Sequence, residues 1–180
     1  RMVRDFEEIR KQLGIEQWVI MGHSFSGTTV TGYALRHPTS INGMMMFNCV
    51  LDIAESINES WIPYACSILG ITDLSYYNND AISTHEKLNS LFRILNKKDL
   101  SWKMTFAKKE NEAKMNSTFS EIPNWNSDFA RVGISHKDYV VNFKVYTAQI
   151  KNPVLFFYGK SDFTVGPEHY KEVHFPNMLL

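Results

Sequence analysis

Two cysteines in 180 residues are too few to staple a small secreted scaffold. Cys49 and Cys66 stand in apolar surroundings, without the CxxC or Cys/His spacing of a zinc or redox site, and read as buried thiols. The chain also lacks an excess of either charge. Nineteen Lys and Arg balance nineteen Asp and Glu, and no basic run is long enough to track a phosphate backbone. Nucleic acid and membrane surfaces are therefore not expected partners. No stretch reaches the roughly 18 to 20 apolar residues of a membrane span, and no signal-like segment opens the sequence, so a cytoplasmic location is expected. Repeats and low-complexity segments are absent as well. What remains is an ordinary globular composition, 44% hydrophobic, long enough to bury one sizeable core.

The pattern of that hydrophobicity is informative. Val3, Phe6, Ile9 and Leu13 recur at helical spacing, Glu7 and Lys11 can pair one turn apart, and Gly14 stops the helix. "QWVIM" then reads as a short strand, followed by Gly22 and a helix from about Ser26 to Arg36 that ends before Pro38. The unbroken apolar run from Met44 in "INGMMMFNCV" predicts a strand buried on both faces. Helix, strand, turn, helix, strand is a βαβ pattern and favours a parallel sheet.

From Asp52 to about Gln149 the composition turns polar and helical. Ser83 with Glu86 forms a capping box ahead of Leu88, Leu91, Phe92 and Leu95. Trp102, Phe106 and Ala113 suggest a further helix, and "NSTFSEIPNWNSD" a loop. "NPVLFFYGKSD" returns to a buried strand, and "PEHYKEV" predicts a helix with Pro167 at its first position. "FPNMLL" reads as the start of one more strand. Three strands buried on both faces would need further neighbours, because so short a parallel sheet leaves unpaired edges.

The stretch "MGHSFSG" places Ser24 where the first strand meets its helix. A serine on so sharp a turn has its hydroxyl lifted clear of the backbone, above a helix N-terminus that favours developing negative charge. The turn is crowded, so its flanks must be small. Here they are Gly22 and Ser26, then Gly27 and Thr28. A phosphate-binding loop is excluded: Gly22 and Gly27 match the ends of Gly-x-x-x-x-Gly, but Thr28 stands where that motif needs lysine.

"MGHSFSG" resembles the nucleophile elbow of the α/β-hydrolase family, close to its Gly-His-Ser-Phe-Gly-Gly form, with Ser26 in place of a usual glycine. "PVLFFYGKSDFTVGPEHY" resembles the strand and loop that carry the acidic triad member, which falls on Asp162. The order Ser24 then Asp162 agrees with that family's Ser, Asp/Glu, His order. The resemblance implies a partial α/β-hydrolase fold: a parallel sheet flanked by helices, with an inserted helical cap. The core would comprise residues 1–51 and 151–180, and the cap residues 52–150.

The resemblance further implies a serine hydrolase in which Ser24 attacks an acyl ester or peptide carbonyl, Asp162 orients a histidine, and the Phe25 backbone N–H helps hold the oxyanion. It implies no metal and no cofactor, and a small-molecule or short-peptide substrate. The histidine is expected beyond Leu180, and a second oxyanion donor before Arg1. His169 and His174 read as solvated helix residues, His23 adjoins Ser24 too closely to reach back to it, and His37, His85 and His136 have no supporting context.

"GPEHYKEVHFPNMLL" and the large cap look most similar to the proline iminopeptidase-like branch, in which cap carboxylates bind a peptide's amino group. Glu110, Glu112 and Glu121 lie in the cap, where a solvated surface is the plainer reading. Two alternatives stay open. One is a catalytically inactive hydrolase-like fragment or binding module. The other is an esterase, thioesterase or carbon–carbon bond hydrolase; dehalogenases of this fold use an aspartate nucleophile, which Ser24 argues against.

Overall fold

A computed structural model describes residues 1–126 and 140–180. Four parallel strands form one sheet in the order β1 (Trp18–His23), β2 (Ile41–Phe47), β3 (Val154–Phe157) and β4 (Met178–Leu179). Sequence neighbours are therefore sheet neighbours, and each parallel pairing requires a crossover. The first crossover is α2 (Ser26–Arg36), which stops at His37 ahead of Pro38 as predicted. The second is the long segment between β2 and β3, so residues that follow the two strand ends emerge at the same edge of the sheet.

The main core lies between the sheet and α2. Tyr33, Ala34, Ile41, Met44, Met46, Cys49, Val154 and Phe156 are buried there. Of the three strands expected to be buried on both faces, β2 comes closest. In β1, an edge strand, Val19 and Met21 are exposed, and in β3 Phe157 is 45% exposed. Helix α1 (Met2–Gln12) forms as the spacing predicts and lies on the surface. Of its apolar stripe only Val3 is buried, whereas Phe6, Ile9 and Leu13 are exposed. Its inward contact is polar: Glu7 accepts from the Tyr33 hydroxyl at 2.7 Å and pairs with Arg10 at 2.7 Å, while Lys11 stands 4.0 Å away. Those bonds hold the Glu7 carboxyl down at about 2 despite burial.

Between β2 and β3 a run of helices builds its own apolar cluster. Helix α3 (Ile53–Glu55) passes through a π-helical stretch (Ser56–Trp61) into α4 (Ile62–Leu69). The widened turn, in which the Ile62 N–H donates to the Ile57 carbonyl, lies directly before Pro63, which cannot donate to the preceding turn. Gly70, at φ +68°, ends α4 in the left-handed conformation that glycine adopts without strain. Helix α5 (Thr84–Lys97) begins as predicted, with the Ser83 hydroxyl accepting from the Glu86 N–H at 3.2 Å. Trp61, Ala65, Cys66, Leu91, Leu95 and Met104 close the cluster.

The helix expected around Trp102 and Ala113 is divided. A 3₁₀ turn (Ser101–Met104) precedes α6 (Lys109–Ser120), which extends through Asn116–Ser120 where a loop was expected. Nothing on α6 is buried, so periodicity had no core to report there. Ser127 and Asp128 of the expected loop, and His136, lie outside the described residues. The helix expected at "PEHYKEV" is only a 3₁₀ turn (His169–Glu172). No helix among the described residues is long and apolar enough to cross a membrane.

Candidate active site

Ser24 occupies the two-residue gap between β1 and α2 with φ +53°, the left-handed region that costs an L-residue of order 1–3 kcal/mol. The surroundings enforce this geometry. The Ser24 N–H donates to the Phe47 carbonyl at 3.2 Å, and the Ser24 carbonyl accepts from Val50 at 2.9 Å and from Gly27 at 3.0 Å. The turn is thus clamped by the end of β2 and the residue Val50 beyond it, and by the first turn of α2. Phe25, the next residue, is the N-cap of α2.

Close packing explains the small residues. A β-carbon on Gly22 would stand 2.9 Å from a Val30 methyl and 3.3 Å from the Cys49 sulfur. On Gly27 it would meet the Cys49 β-carbon at 2.6 Å and the Val50 carbonyl oxygen at 2.7 Å, and backbone cannot yield cheaply. Position 26 is different. The Ser26 hydroxyl accepts from the His23 N–H and donates to the His23 carbonyl, both at 2.7 Å. A serine is therefore accommodated there because it bonds the turn to itself, and the strict requirement for glycine falls one residue later.

Asp162 lies on the turn after β3. Its Oδ1 accepts from Thr164 N–H at 3.0 Å and Val165 N–H at 3.1 Å, and its own N–H donates to the Gly159 carbonyl at 3.1 Å. Ser24, Asp162 and His23 line one cavity of about 590 Å³, together with Asn48, Tyr64 and Thr105. The helical segment covers this cavity through specific contacts. Thr164 donates to the Met104 carbonyl at 2.7 Å, Ser60 donates to the Phe163 carbonyl at 2.8 Å, and the Tyr64 and Phe163 rings stack with centroids 4.1 Å apart. Both cysteines are buried, as their apolar surroundings suggest, and burial pushes the Cys49 thiol up to about 12. Cys49 is thus packing, not a nucleophile.

The histidines divide by environment. His169 is a correction: expected on a solvated helix, it is 2% exposed. Its Nε2 accepts from Leu51 N–H at 3.0 Å and Asp52 N–H at 3.3 Å, and burial drives its pKa down to about 3. Its Nδ1 lies 3.4 Å from Glu55, which itself pairs with the buried Lys144. His174 is exposed, as expected. His37 packs on Tyr33, and His85 bonds Asn89 on the surface of α5. Only His23 of these shares the Ser24 cavity.

Glu110 and Glu121 are exposed, and neither they nor Glu112 line that cavity. Glu55, Glu59 and Glu168 instead line a neighbouring cavity of about 570 Å³. The described residues contain no group of three or more His, Cys, Asp or Glu placed to hold a metal. Sequence reasoning also missed Asn48, which lines the Ser24 cavity at φ +44°. The available signal was an asparagine directly after an apolar strand, a residue type that tolerates this conformation.

Comparison with known proteins agrees with this architecture. Over a third of its length the chain is 36% identical, across 62 residues, to a proline iminopeptidase of Neisseria gonorrhoeae, a match covering 20% of that enzyme. A proline iminopeptidase-related protein of Thermus thermophilus superposes with a TM-score of 0.67 at 18% identity, covering 95% of this chain and 56% of that one. An alpha/beta fold family hydrolase of Bacillus anthracis superposes with a TM-score of 0.57 at 19% identity, covering 99% of this chain and 63% of that one. The chain therefore spans less than two thirds of each. The family defined by the alpha/beta hydrolase fold matches residues 1–179, and with the strained serine turn and parallel sheet already described, the chain belongs to the alpha/beta hydrolase fold family.

Proposed function

We propose that the chain carries the nucleophile and the acid of a serine hydrolase that cleaves acyl ester or peptide bonds. The observation that carries the reading is Ser24, held at φ +53° between strand and helix in the same cavity as Asp162. A hydroxyl so placed attacks the carbonyl carbon, and the oxyanion forms beside the Phe25 N–H at the N-terminal end of α2. Asp162 holds the imidazole of a general base in the tautomer that accepts the serine proton, then stabilises the imidazolium. That base is a histidine supplied from outside the described residues. His169 does not fit the role, because its Nε2 is committed to Leu51 and Asp52.

Residues 52–150 act in this reading as a cap that limits water and selects the substrate. N-terminal prolyl aminopeptidase activity is the specific form that the Neisseria and Thermus relatives support. A fluorophosphonate probe tests the assignment: it should label the full-length protein at Ser24, and Ser24→Ala should abolish labelling and lower kcat by about 10³-fold or more. Labelling that persists in Ser24→Ala overturns it. Proline p-nitroanilide compared with p-nitrophenyl acetate tells the aminopeptidase from the esterase.

A further inference from the structure

The two site residues sit on separate turns, one after β1 and one after β3. One short segment touches both. Phe47 accepts the Ser24 N–H, and Val50 donates to the Ser24 carbonyl. Between them, Asn48 reaches the other turn. Its N–H donates to Phe157 at the end of β3 at 2.9 Å, and its side-chain Oδ1 accepts from the Gly159 N–H at 2.9 Å. The Gly159 carbonyl in turn accepts the Asp162 N–H. An acceptor at Oδ1 fixes which way the amide faces.

Space around this contact is already filled. A β-carbon on Gly159 would come within 3.2 Å of the Asn48 Nδ2 and 3.4 Å of the Asp162 β-carbon. Asn48 itself is held at φ +44°, a strained conformation for anything but glycine and most tolerable for Asn and Asp. The strain brings the amide to the Gly159 N–H, in the wall of the cavity that Ser24 and Asp162 share.

We infer that Asn48 is a positioning residue that ties the acid-bearing turn to the nucleophile turn and so sets Asp162 against Ser24. This rests on the serine-hydrolase reading. Its amide oxygen bonds the Gly159 N–H and so fixes the turn on which the carboxylate is carried, where a displacement of about 1 Å is enough to cost about 100-fold in rate.

The test uses the full-length protein, with p-nitrophenyl acetate as substrate and kcat normalised to the fraction of Ser24 that a fluorophosphonate titrates, so that misfolding cannot imitate the effect. Asn48→Gly keeps the backbone conformation and removes the amide. It should lower kcat by about 10- to 100-fold with KM within about twofold. Asn48→Ser, whose hydroxyl is too short to reach Gly159, should fall equally and serves if the glycine variant does not fold. Asn48→Asp keeps an acceptor at the same place and should recover most of the loss.

A wild-type kcat in Asn48→Gly or Asn48→Ser overturns the positioning role, as does an Asn48→Asp no better than either. If those results come with labelling that still depends on Ser24, the hydrolase reading stands and the positioning role alone falls. If the wild-type protein is not labelled at all, both fall.

Discussion

The carboxyl edge of the sheet and the helical segment beside it are built by different physics. At the sheet edge, Ser24, Asn48 and Asp162 are fixed by backbone hydrogen bonds between 2.9 and 3.2 Å, by two left-handed residues that are not glycine, and by glycines with no room for a methyl. Across the cavity, α4 and α5 are held by an apolar cluster of Trp61, Leu91 and Leu95, while α6 buries nothing. Apolar packing is non-directional and tolerates repacking, whereas a clamped turn does not. The difference teaches where precision is kept: the turns that carry Ser24 and Asp162 sit where geometry is over-determined, and the helical segment across the cavity sits where packing can adjust.

Paired substitutions break that comparison if it is wrong. Gly27→Ala forces a methyl to 2.6 Å from the Cys49 β-carbon and 2.7 Å from the Val50 oxygen, so the clamp on Ser24 must open. A loss of about 3 kcal/mol or more is expected, together with slower fluorophosphonate labelling per folded molecule. Leu91→Ala empties a fully buried site in the helical cluster and should cost about 2–5 kcal/mol. Its labelling rate per folded molecule should stay near wild type. Urea unfolding and labelling kinetics, measured together, decide the matter; equal damage to labelling in both variants would abolish the distinction.

The same division governs what could be read from sequence. Around Ser24 the letters are nearly sufficient, because a strand run, a small-residue turn and a helix before Pro38 each have a local cause. The Ser83 cap was legible for the same reason. What the letters do not carry depends on contacts far apart in the chain. His169 reads as a surface residue in "PEHYKEV" until Leu51, 118 positions earlier, supplies an N–H to it. Asn48 becomes informative only once Gly159, 111 positions later, lies against it. The helix of α1 is legible in its apolar stripe, but periodicity does not say what covers that stripe, and Phe6, Ile9 and Leu13 are exposed. That Glu7 would make the inward contact, through Tyr33, is likewise a tertiary fact.

The seam between the two regions supplies an intermediate effect. His169, after β3, accepts from Leu51 and Asp52 at the start of the helical segment, beside Glu55 and Lys144. Its folded pKa of about 3 lies below the ordinary 6.5, with burial as the main cause and the Lys144 charge adding to it. Between those values the unfolded chain takes up a proton that the folded chain refuses, so stability falls as pH drops below about 6.5. By pH 5 the loss from this group is about 2 kcal/mol. Glu55, raised chiefly by burial, acts in the opposite sense and offsets part of it. Glu7, held at about 2, contributes its own loss only below about 4.5. Urea unfolding at pH 7 and pH 5 should therefore show a clear acid loss in the wild-type protein and a smaller one in His169→Gln. Equal losses in the two would assign the sensitivity elsewhere.

The smallest effect is expected at Ser26, one position from the most restrictive glycine. Its hydroxyl forms two 2.7 Å bonds to His23, and its β-carbon already fits, so Ser26→Ala removes hydrogen bonds without creating a clash. The bonds lie at a partly exposed turn where water can replace them, which limits the cost to about 1 kcal/mol. Ser26→Gly also loses them and adds backbone freedom two positions from the strained Ser24, so it should be slightly worse than alanine. The order of stability wild type, Ser26→Ala, Ser26→Gly, with Gly27→Ala far below, would locate the turn's glycine requirement at position 27. A glycine at 26 more stable than the wild-type serine would mean that the hydroxyl adds nothing and that serine is merely tolerated there.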